Sequence, residues 1–249
     1  MPDISSTSPL NEVKAVNLIE SARIMGVVLS PGQVAQFDTY CRELIAWNKR
    51  TNLTRITAET DIYVKHFLDS LSCLAATPAL PSTLIDVGTG PGLPGLALKI
   101  AQPHIKLTLV ESAQKKVDFL RHIVQRLDLK QVVILPNRAE EVGQNPEHRE
   151  RYHLAVARAV APLAVLAEYL LPLLHVGGTM LAQKGGDPSD EVTAAARVIN
   201  LLGGRHHQTL PVSVPHLEAN RHLVVVKKIK PTPEQYPRRP GIPAKKPIF

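Results

Sequence analysis

Glycines and an acidic residue follow a short apolar segment in the first half of the chain. Residues 84–87 are apolar except for Asp86 and are predicted to form a buried strand. Gly88, Gly90 and Gly92 follow at alternate positions. Because glycine has no Cβ, such a turn lets a ligand approach the backbone closely. Ligands of open α/β sheets bind at the carboxyl ends of strands, so the sequence predicts a nucleotide-type site with Asp86 beside it.

A second acidic residue ends the next predicted strand. Residues 106–110 are mostly apolar, and Glu111 follows them directly. A carboxylate at this place can accept hydrogen bonds from both hydroxyls of a ribose. We therefore assign Glu111, together with the adjacent Ser112, to the same site.

The glycines alone leave the ligand open. Gly90, Gly92 and Gly95 also satisfy the G-x-G-x-x-G pattern of nicotinamide dehydrogenases. Asp86, however, suits a ligand that carries an ammonium and a sulfonium and would repel a pyrophosphate. Residues 86–92 resemble the first motif of S-adenosylmethionine-dependent methyltransferases. A tight turn without any ligand is the third interpretation.

Composition sets further bounds. The 249 residues carry a formal net charge of +7, which is compatible with a polyanionic partner but does not require one. Cys41 and Cys73 lie in apolar helical patterns without metal-ligand spacing and are predicted to be buried thiols in a reducing compartment. The first residues lack a secretory signal, and the most apolar segment, 159–176, is interrupted by proline and glutamate. We expect a cytoplasmic protein that does not span a membrane.

The elements that would position the site alternate between strand and helix, which is typical of an α/β, doubly wound parallel sheet. Strands are predicted at 84–87, 106–110, 132–135, 154–157 and 178–183. Helices are predicted at 94–101, 113–127, 161–174 and 189–202. Residues 205–214 and 221–229 are predicted to form an antiparallel hairpin at the sheet edge. This seven-stranded, Rossmann-like pattern is typical of methyltransferases and not of dehydrogenases.

Two further segments flank the sheet domain, which spans 81–229. Residues 1–80 form an N-terminal helical extension with a disordered start at 1–9. Its helices are predicted at 10–28, 31–49 and 60–76. Residues 230–249 are rich in proline, lysine and arginine and are predicted to be an extended basic tail that wraps the domain surface, contacts RNA, or does both.

Several motifs together resemble the GidB/RsmG family. They are residues 47–54 (WNKRTNLT), 66–71 (HFLDSL), 86–95 (DVGTGPGLPG), 138–141 (RAEE), 158–159 (RA), 184–185 (KG), 221–223 (RHL) and 236–239 (YPRR). Members of this family are S-adenosylmethionine-dependent methyltransferases that modify N7 of one guanine in 16S ribosomal RNA. The resemblance extends over nearly the whole chain. One departure is His153, where the family commonly has an acid just before the fourth strand.

The resemblance implies roles for individual residues in cofactor binding. Gly88 and Leu93 would line the pocket through backbone groups, and Glu111 would hold the ribose. Ala139 and Glu140 would meet the adenine; the alternative for Glu140 is a solvated carboxylate at a helix start.

Arg158 is the one candidate for a direct role near the reaction. The resemblance places it at the cofactor site, where it could hold the methionine carboxylate or the guanine O6, and a structural ion pair is the alternative. Guanine N7 carries a lone pair and no proton, so methyl transfer to it needs no activation of the nucleophile. We expect no general base and no metal, and catalysis by positioning and electrostatics.

Basic and polar residues around the mouth of the site are candidates for binding RNA phosphates. They are Lys49, Arg50, Arg55, Lys65, His66, Lys184, Arg221, Arg238 and Arg239. Trp47 could stack on a base, but anchoring of its helix to the core is the favoured interpretation. His66 and Asp69, one helical turn apart, could form a hydrogen-bonded pair over the site or only cap a helix.

Three functions follow from these patterns. The leading hypothesis is a monomeric rRNA methyltransferase whose partner is 16S rRNA or the small ribosomal subunit, with no protein partner implied. A nicotinamide dehydrogenase and a non-catalytic assembly protein with the same fold are the alternatives.

Overall fold

A single mixed sheet organises the structure, a computed structural model that describes residues 17–249. The strand order is β3-β2-β1-β4-β5-β7-β6, in which β1 to β5 are parallel and β7 is antiparallel to both of its neighbours. The strands are β1 (Thr83–Val87), β2 (Lys106–Val110), β3 (Val132–Leu135), β4 (Tyr152–Arg158), β5 (Leu174–Gly185), β6 (Gly204–Val212) and β7 (Arg221–Lys228). The predicted fold class, including the antiparallel hairpin, is confirmed.

Helices cover both faces of this sheet. They are α1 (Leu18–Ile24), α2 (Pro31–Thr51), α3 (Glu59–Ile62), α4 (Asp69–Leu71), α5 (Gly95–Ala101), α6 (Gln114–Arg126), α7 (Ala139–Gln144), α8 (Leu163–Leu170), α9 (Ser189–Leu201) and α10 (Ile242–Lys245). No helix in residues 17–249 is long and apolar enough to cross a membrane.

Alternation along β1 divides its side chains between two hydrophobic clusters. Leu84 belongs to the cluster beneath the N-terminal helices, α5 and α6, whereas Ile85 and Val87 belong to the cluster beneath α8 and α9. Because β1, β2 and β4 are parallel neighbours, their carboxyl ends meet at one edge of the sheet. This edge brings the residues predicted for the site together.

The N-terminal helices share a core with the sheet. Ser30 caps α2 through a capping box with Gln33, and Pro31 begins the helix. Trp47 packs against Phe119 of α6, with ring centroids 5.6 Å apart. The anchoring role predicted for Trp47 is confirmed. The predicted disordered start and the predicted helix up to residue 16 lie outside the described residues.

The predicted uniform helix over 60–76 is wrong in detail. The chain changes from α3 into a π-helix over Tyr63–Leu68, then into α4, and then into a 3-10 helix over Ser72–Ala75. Apolar residues at helical spacing do not distinguish these helix types. The π-helical segment buries both His66 and Phe67.

Strands β4 and β5 are longer than predicted, and α7 lies in a segment where no helix was assigned. Gly177 and Gly178 interrupt the apolar pattern of β5, although they are part of the strand. A Cβ at Gly178 would lie within 3.1 Å of the carbonyl oxygen of Tyr152, so glycine permits the close pairing with β4 there.

The C-terminal segment, residues 230–249, wraps the domain as one interpretation predicted. Glu168, buried in α8, accepts hydrogen bonds from the Arg238 backbone N–H at 2.8 Å and from its guanidinium at 2.6–3.2 Å. Thr232 is also buried. The segment is not extended throughout, because it contains α10, with Pro243 in the first turn of that helix.

We expect Arg238→Met to lower the free energy of unfolding by roughly 2–4 kcal/mol, because it leaves the buried Glu168 carboxylate without its cation. Urea denaturation measures the loss. The matched control is Arg239→Met, since Arg239 is exposed. In the double variant with Glu168→Leu, most of the stability should return; a double variant as unstable as the single one would contradict this explanation.

Candidate functional site

The turn after β1 is held by the buried carboxylate of Asp86. Its Oδ2 atom accepts hydrogen bonds from Thr89 Oγ1 at 2.6 Å and from the Gly95 backbone N–H at 2.8 Å. A Cβ at Gly95 would lie 2.8 Å from the same oxygen, so only glycine leaves room for this contact. Burial raises the pKa of Asp86 to about 6. Asp86 Oδ1 is buried and receives no hydrogen bond from any residue of the described chain.

Glu111 ties the ends of β1 and β2 together. Its Oε2 atom accepts from the Gly90 backbone N–H at 3.1 Å, and its Oε1 atom accepts from the Ala113 N–H at 2.8 Å. Lys116 Nζ lies 3.7 Å from Oε2. This carboxylate points at the turn, where hydroxyl groups of a ligand could reach it.

A cavity of about 230 Å³ opens at the carboxyl ends of β1 and β2. Its lining residues are Val87, Gly88, Val110, Glu111, Ser112, Asn137, Arg138, Ala139, Glu140, Val160, Ala161, Tyr169 and Ala244. Five of the predicted cofactor residues line it: Gly88, Glu111, Ser112, Ala139 and Glu140. Gly88 has φ +68°, and a Cβ there would lie 2.7 Å from Val160, so the wall of the cavity requires glycine.

The remaining predicted cofactor residues do not line this cavity. Gly90 and Gly92 lie in the turn, both with positive φ, and Leu93 is buried beneath it. Sequence reasoning missed Val160, Tyr169 and Ala244. Val160 and Tyr169 follow β4 in apolar sequence without a motif, and Ala244 comes from a segment more than 100 residues beyond the turn.

Arg158 points toward the N-terminal helices. Its Nη1 atom donates to Asp69 Oδ2 and to the Lys65 carbonyl, both at 3.0 Å, and Arg221 Nε donates to the other oxygen of Asp69 at 2.8 Å. The structure thus gives Arg158 the ion pair that was the alternative to cofactor binding. The next residue, Ala159, has φ +55°, a conformation that costs energy in a residue other than glycine.

A larger groove of about 1130 Å³ lies on the other side of residues 159–160. Its lining residues are Ile45, Asn48, Lys49, Asn52, Leu53, Thr54, Arg55, Thr57, Lys116 and Ala159. Ala159 borders the groove, and its neighbour Val160 borders the cavity. The two spaces therefore meet at Ala159 and Val160, which form the boundary between them.

Comparison with known proteins decides the family. Residues 33–224 match the family GidB, described as rRNA small subunit methyltransferase G. Relatives named ribosomal RNA small subunit methyltransferase G are 50% identical in Pelotomaculum thermopropionicum, over 95% of this chain and 99% of that protein, and 51% identical in Roseiflexus sp., over 93% and 98%. The chain belongs to the GidB family.

The solved structures agree on the fold. A chain of the Haloferax volcanii complex between the methyltransferase activator Trm112 and a methyltransferase aligns with a TM-score of 0.55 at 12% identity, over 76% of this chain and 98% of that one. The family match and the relatives' names identify the chain as a methyltransferase, and the dehydrogenase alternative is set aside.

In this methyltransferase the RNA-binding candidates differ in their surroundings. Lys49 and Arg55 border the groove, and Arg50 stacks over Trp47 at 5.6 Å. Lys184 binds Glu191 at 2.6 Å. Of the others, Arg221 and Arg238 bind the buried carboxylates described above, Lys65 binds Asp61 at 2.9 Å, and Arg239 is exposed.

His66 and Asp69 do not form the hydrogen-bonded pair that was one of the two alternatives for them. His66 Nε2 lies 2.9 Å from Thr54 Oγ1, and Arg158 stands between the two side chains, with its Nη2 atom 3.4 Å from His66 Nδ1. Glu140 is also not a solvated carboxylate: it is 3% exposed. Within residues 17–249, no group of three or more His, Cys, Asp or Glu side chains is arranged to hold a metal ion.

His66 predicts a pH dependence of stability. Burial, and then the charge of Arg158, lower its pKa from 6.5 to about 4. Since the unfolded chain binds the proton more readily, the stability from His66 is complete above pH 6.5 and is lost as the pH falls toward 4. The loss should be roughly 1–3 kcal/mol.

The measurement compares wild type with His66→Gln by urea denaturation between pH 7.5 and 4.5. As the pH falls, the wild type should lose more unfolding free energy than His66→Gln does. The exposed His207→Gln is the control and should show a constant difference. A constant difference for His66→Gln as well would show that this histidine titrates normally.

Proposed function

We propose that this methyltransferase transfers the methyl group of S-adenosyl-L-methionine to N7 of a guanine in 16S ribosomal RNA. The observation that carries the proposal is the arrangement of two spaces around Ala159 and Val160. At these two residues, a cavity bordered by the Glu111 carboxylate meets a groove bordered by the basic residues Lys49 and Arg55. The names of its relatives support small-subunit rRNA as the substrate.

The cavity residues fit the proposed methyl donor. Gly88 leaves a smooth backbone wall that a Cβ would fill, and Glu111 offers oxygen atoms to ribose hydroxyls. Val87, Val110 and Val160 supply apolar contacts for a base. Asp86, buried under the turn with one oxygen unpaired, adds negative potential that favours a cationic donor over a pyrophosphate. The bound donor would supply an electrophilic methyl group.

The chemistry at guanine N7 requires positioning and no proton transfer. The N7 lone pair attacks the methyl carbon in line with the breaking carbon–sulfur bond, and no proton leaves the nucleophile in this step. The contribution of the chain is to hold both reactants, which reduces the entropic cost of their meeting. Arg158 serves here as a positioning residue, because its bonds to Asp69 and Lys65 fix the strained Ala159 at the boundary between the two spaces.

The groove provides the side from which RNA would approach. Lys49 and Arg55 border it and can neutralise phosphates. Lys184, Arg221 and Arg238 are left out of the proposed RNA surface, because each is bound to a carboxylate of the protein.

The test of the function uses small ribosomal subunits from cells that lack this protein. With methyl-labelled S-adenosylmethionine, label should appear as N7-methylguanine in 16S rRNA, and a transcript with 7-deazaguanine at that site should accept none. Since no proton transfer limits the reaction, the rate in D₂O should be within about 1.5-fold of that in H₂O. Binding of the subunit without any methyl transfer would favour the non-catalytic assembly protein.

Glu111→Ala should weaken S-adenosylmethionine binding by roughly 1–3 kcal/mol, the range for hydrogen bonds to a charged group. Calorimetric titration measures it. Because Glu111 also holds the Gly90 and Ala113 amides, thermal unfolding without ligand is recorded in parallel. Glu147→Ala, on the surface after α7, is the control. Unchanged affinity in Glu111→Ala would remove the ribose assignment.

The groove should make RNA affinity depend on salt. Replacing both Lys49 and Arg55 by Gln should reduce the slope of log K against log salt by about 2, roughly one per lost phosphate contact. The control is the double variant Lys106→Gln and Arg205→Gln. Lys106 lies at the amino end of β2, away from the carboxyl ends where the site lies, and Arg205 lies on β6, the outermost strand of the sheet. Equal slopes for the two double variants would exclude the groove as the phosphate-binding surface.

A further inference from the structure

The C-terminal segment is fixed against the helix that borders the cavity. Gly143 of α7 lies so close to Pro237 that a Cβ there would be 2.8 Å from the proline ring. Gln144 Nε2 donates to the Pro237 carbonyl at 2.7 Å. Helix α7 also supplies Ala139 and Glu140 to the cavity, so one short helix joins the segment to the proposed cofactor site.

The side chain of Arg149, just beyond α7, binds backbone carbonyls of the same segment. Its guanidinium donates to the carbonyls of Thr232 at 2.8 Å and Tyr236 at 2.6 Å, and also to Gly143 at 3.0 Å. Together with the pairing of Arg238 to the buried Glu168, these contacts hold residues 232–238 at both ends. The residues that follow are thereby directed toward the cavity.

Residues 241–244 then reach the cavity itself. The Gly241 N–H donates to Glu140 Oε1 at 2.8 Å, and Ala244 lines the cavity together with Ala139 and Glu140. Tyr169 completes this end, where burial and then the charge of Glu140 raise its pKa to about 12. Glu140 therefore binds the segment through one oxygen, while its helix borders the ligand space.

We propose that the C-terminal segment, through Ala244, forms part of the wall of the cofactor cavity at the end that receives the adenine base. This inference rests on the proposed use of S-adenosylmethionine and adds a component that no sequence motif of the glycine turn supplies. Docking of the segment and binding of the base stabilise each other, because the ligand contacts only the docked arrangement.

The first test introduces a large side chain at Ala244, where the segment lines the cavity. Ala244→Phe should weaken binding of S-adenosylhomocysteine and of adenosine by the same factor, tenfold or more, since both carry the base. Lys246→Phe, in the same segment but outside the cavity lining, should change neither affinity by more than about twofold. Calorimetric titration of the full-length variants measures both ligands.

The second test needs no substitution. S-adenosylhomocysteine should slow amide hydrogen exchange in residues 241–246 of the wild-type protein at least tenfold, while exchange in β6 at the sheet edge stays the same. Adenosine alone should produce most of this protection.

The outcomes separate the wall from the proposed function. A wild-type protein that binds S-adenosylhomocysteine, with affinity unchanged in Ala244→Phe or with exchange in 241–246 unaffected, overturns the wall and leaves the methyl donor assignment intact. Loss of S-adenosylhomocysteine binding without loss of adenosine binding places Ala244 at the other end of the ligand and also overturns the wall. A wild-type protein that binds neither ligand overturns both proposals.

Discussion

A single buried carboxylate determines the shape of the glycine turn on which the site depends. Asp86 joins the end of β1 to the start of α5 by accepting from the Thr89 hydroxyl and the Gly95 amide. Burial of this charge is unfavourable, and the two hydrogen bonds offset part of the cost. The turn that results presents Gly88 to the cavity and the Gly90 amide to Glu111. Without this carboxylate, neither the cavity wall nor the orientation of Glu111 would be defined.

Asp86 and His66, two buried groups near Arg158, change the stability of the fold in opposite directions as the pH changes. The pKa of Asp86 is raised by burial to about 6, so its contribution falls as the pH rises from about 4 to 6. The pKa of His66 is lowered to about 4, so its contribution rises over the same interval. The two buried groups therefore titrate with opposite effects. The folded protein should show a flatter acid profile than either group alone would give.

Short patterns of apolar and turn residues predicted the strands of the sheet well, because the burial of a strand and the conformation of a turn depend mainly on neighbouring residues. The strand bounds at 106–110 and 132–135 agree with β2 and β3, and the glycine turn indicated where the cavity would lie. The hydrogen bonds of Arg158 to Asp69 and of Arg238 to Glu168 join residues 89 and 70 positions apart, and no local pattern reports such pairs. Helix α7 escaped prediction because it is six residues long and contains Gly143. The contribution of Ala244 depends on packing of the proline-rich segment, which composition does not specify.

The boundary at Ala159 and Val160 has a consequence for how homologous sequences can diverge. Most connections on a protein surface accept insertions, since a longer loop costs little closure entropy. An added residue between Arg158 and Val160 would instead displace the cavity from the groove. The methyl donor and the guanine would then be held too far apart. Related enzymes should therefore vary in loop length at many turns and keep this one at constant length.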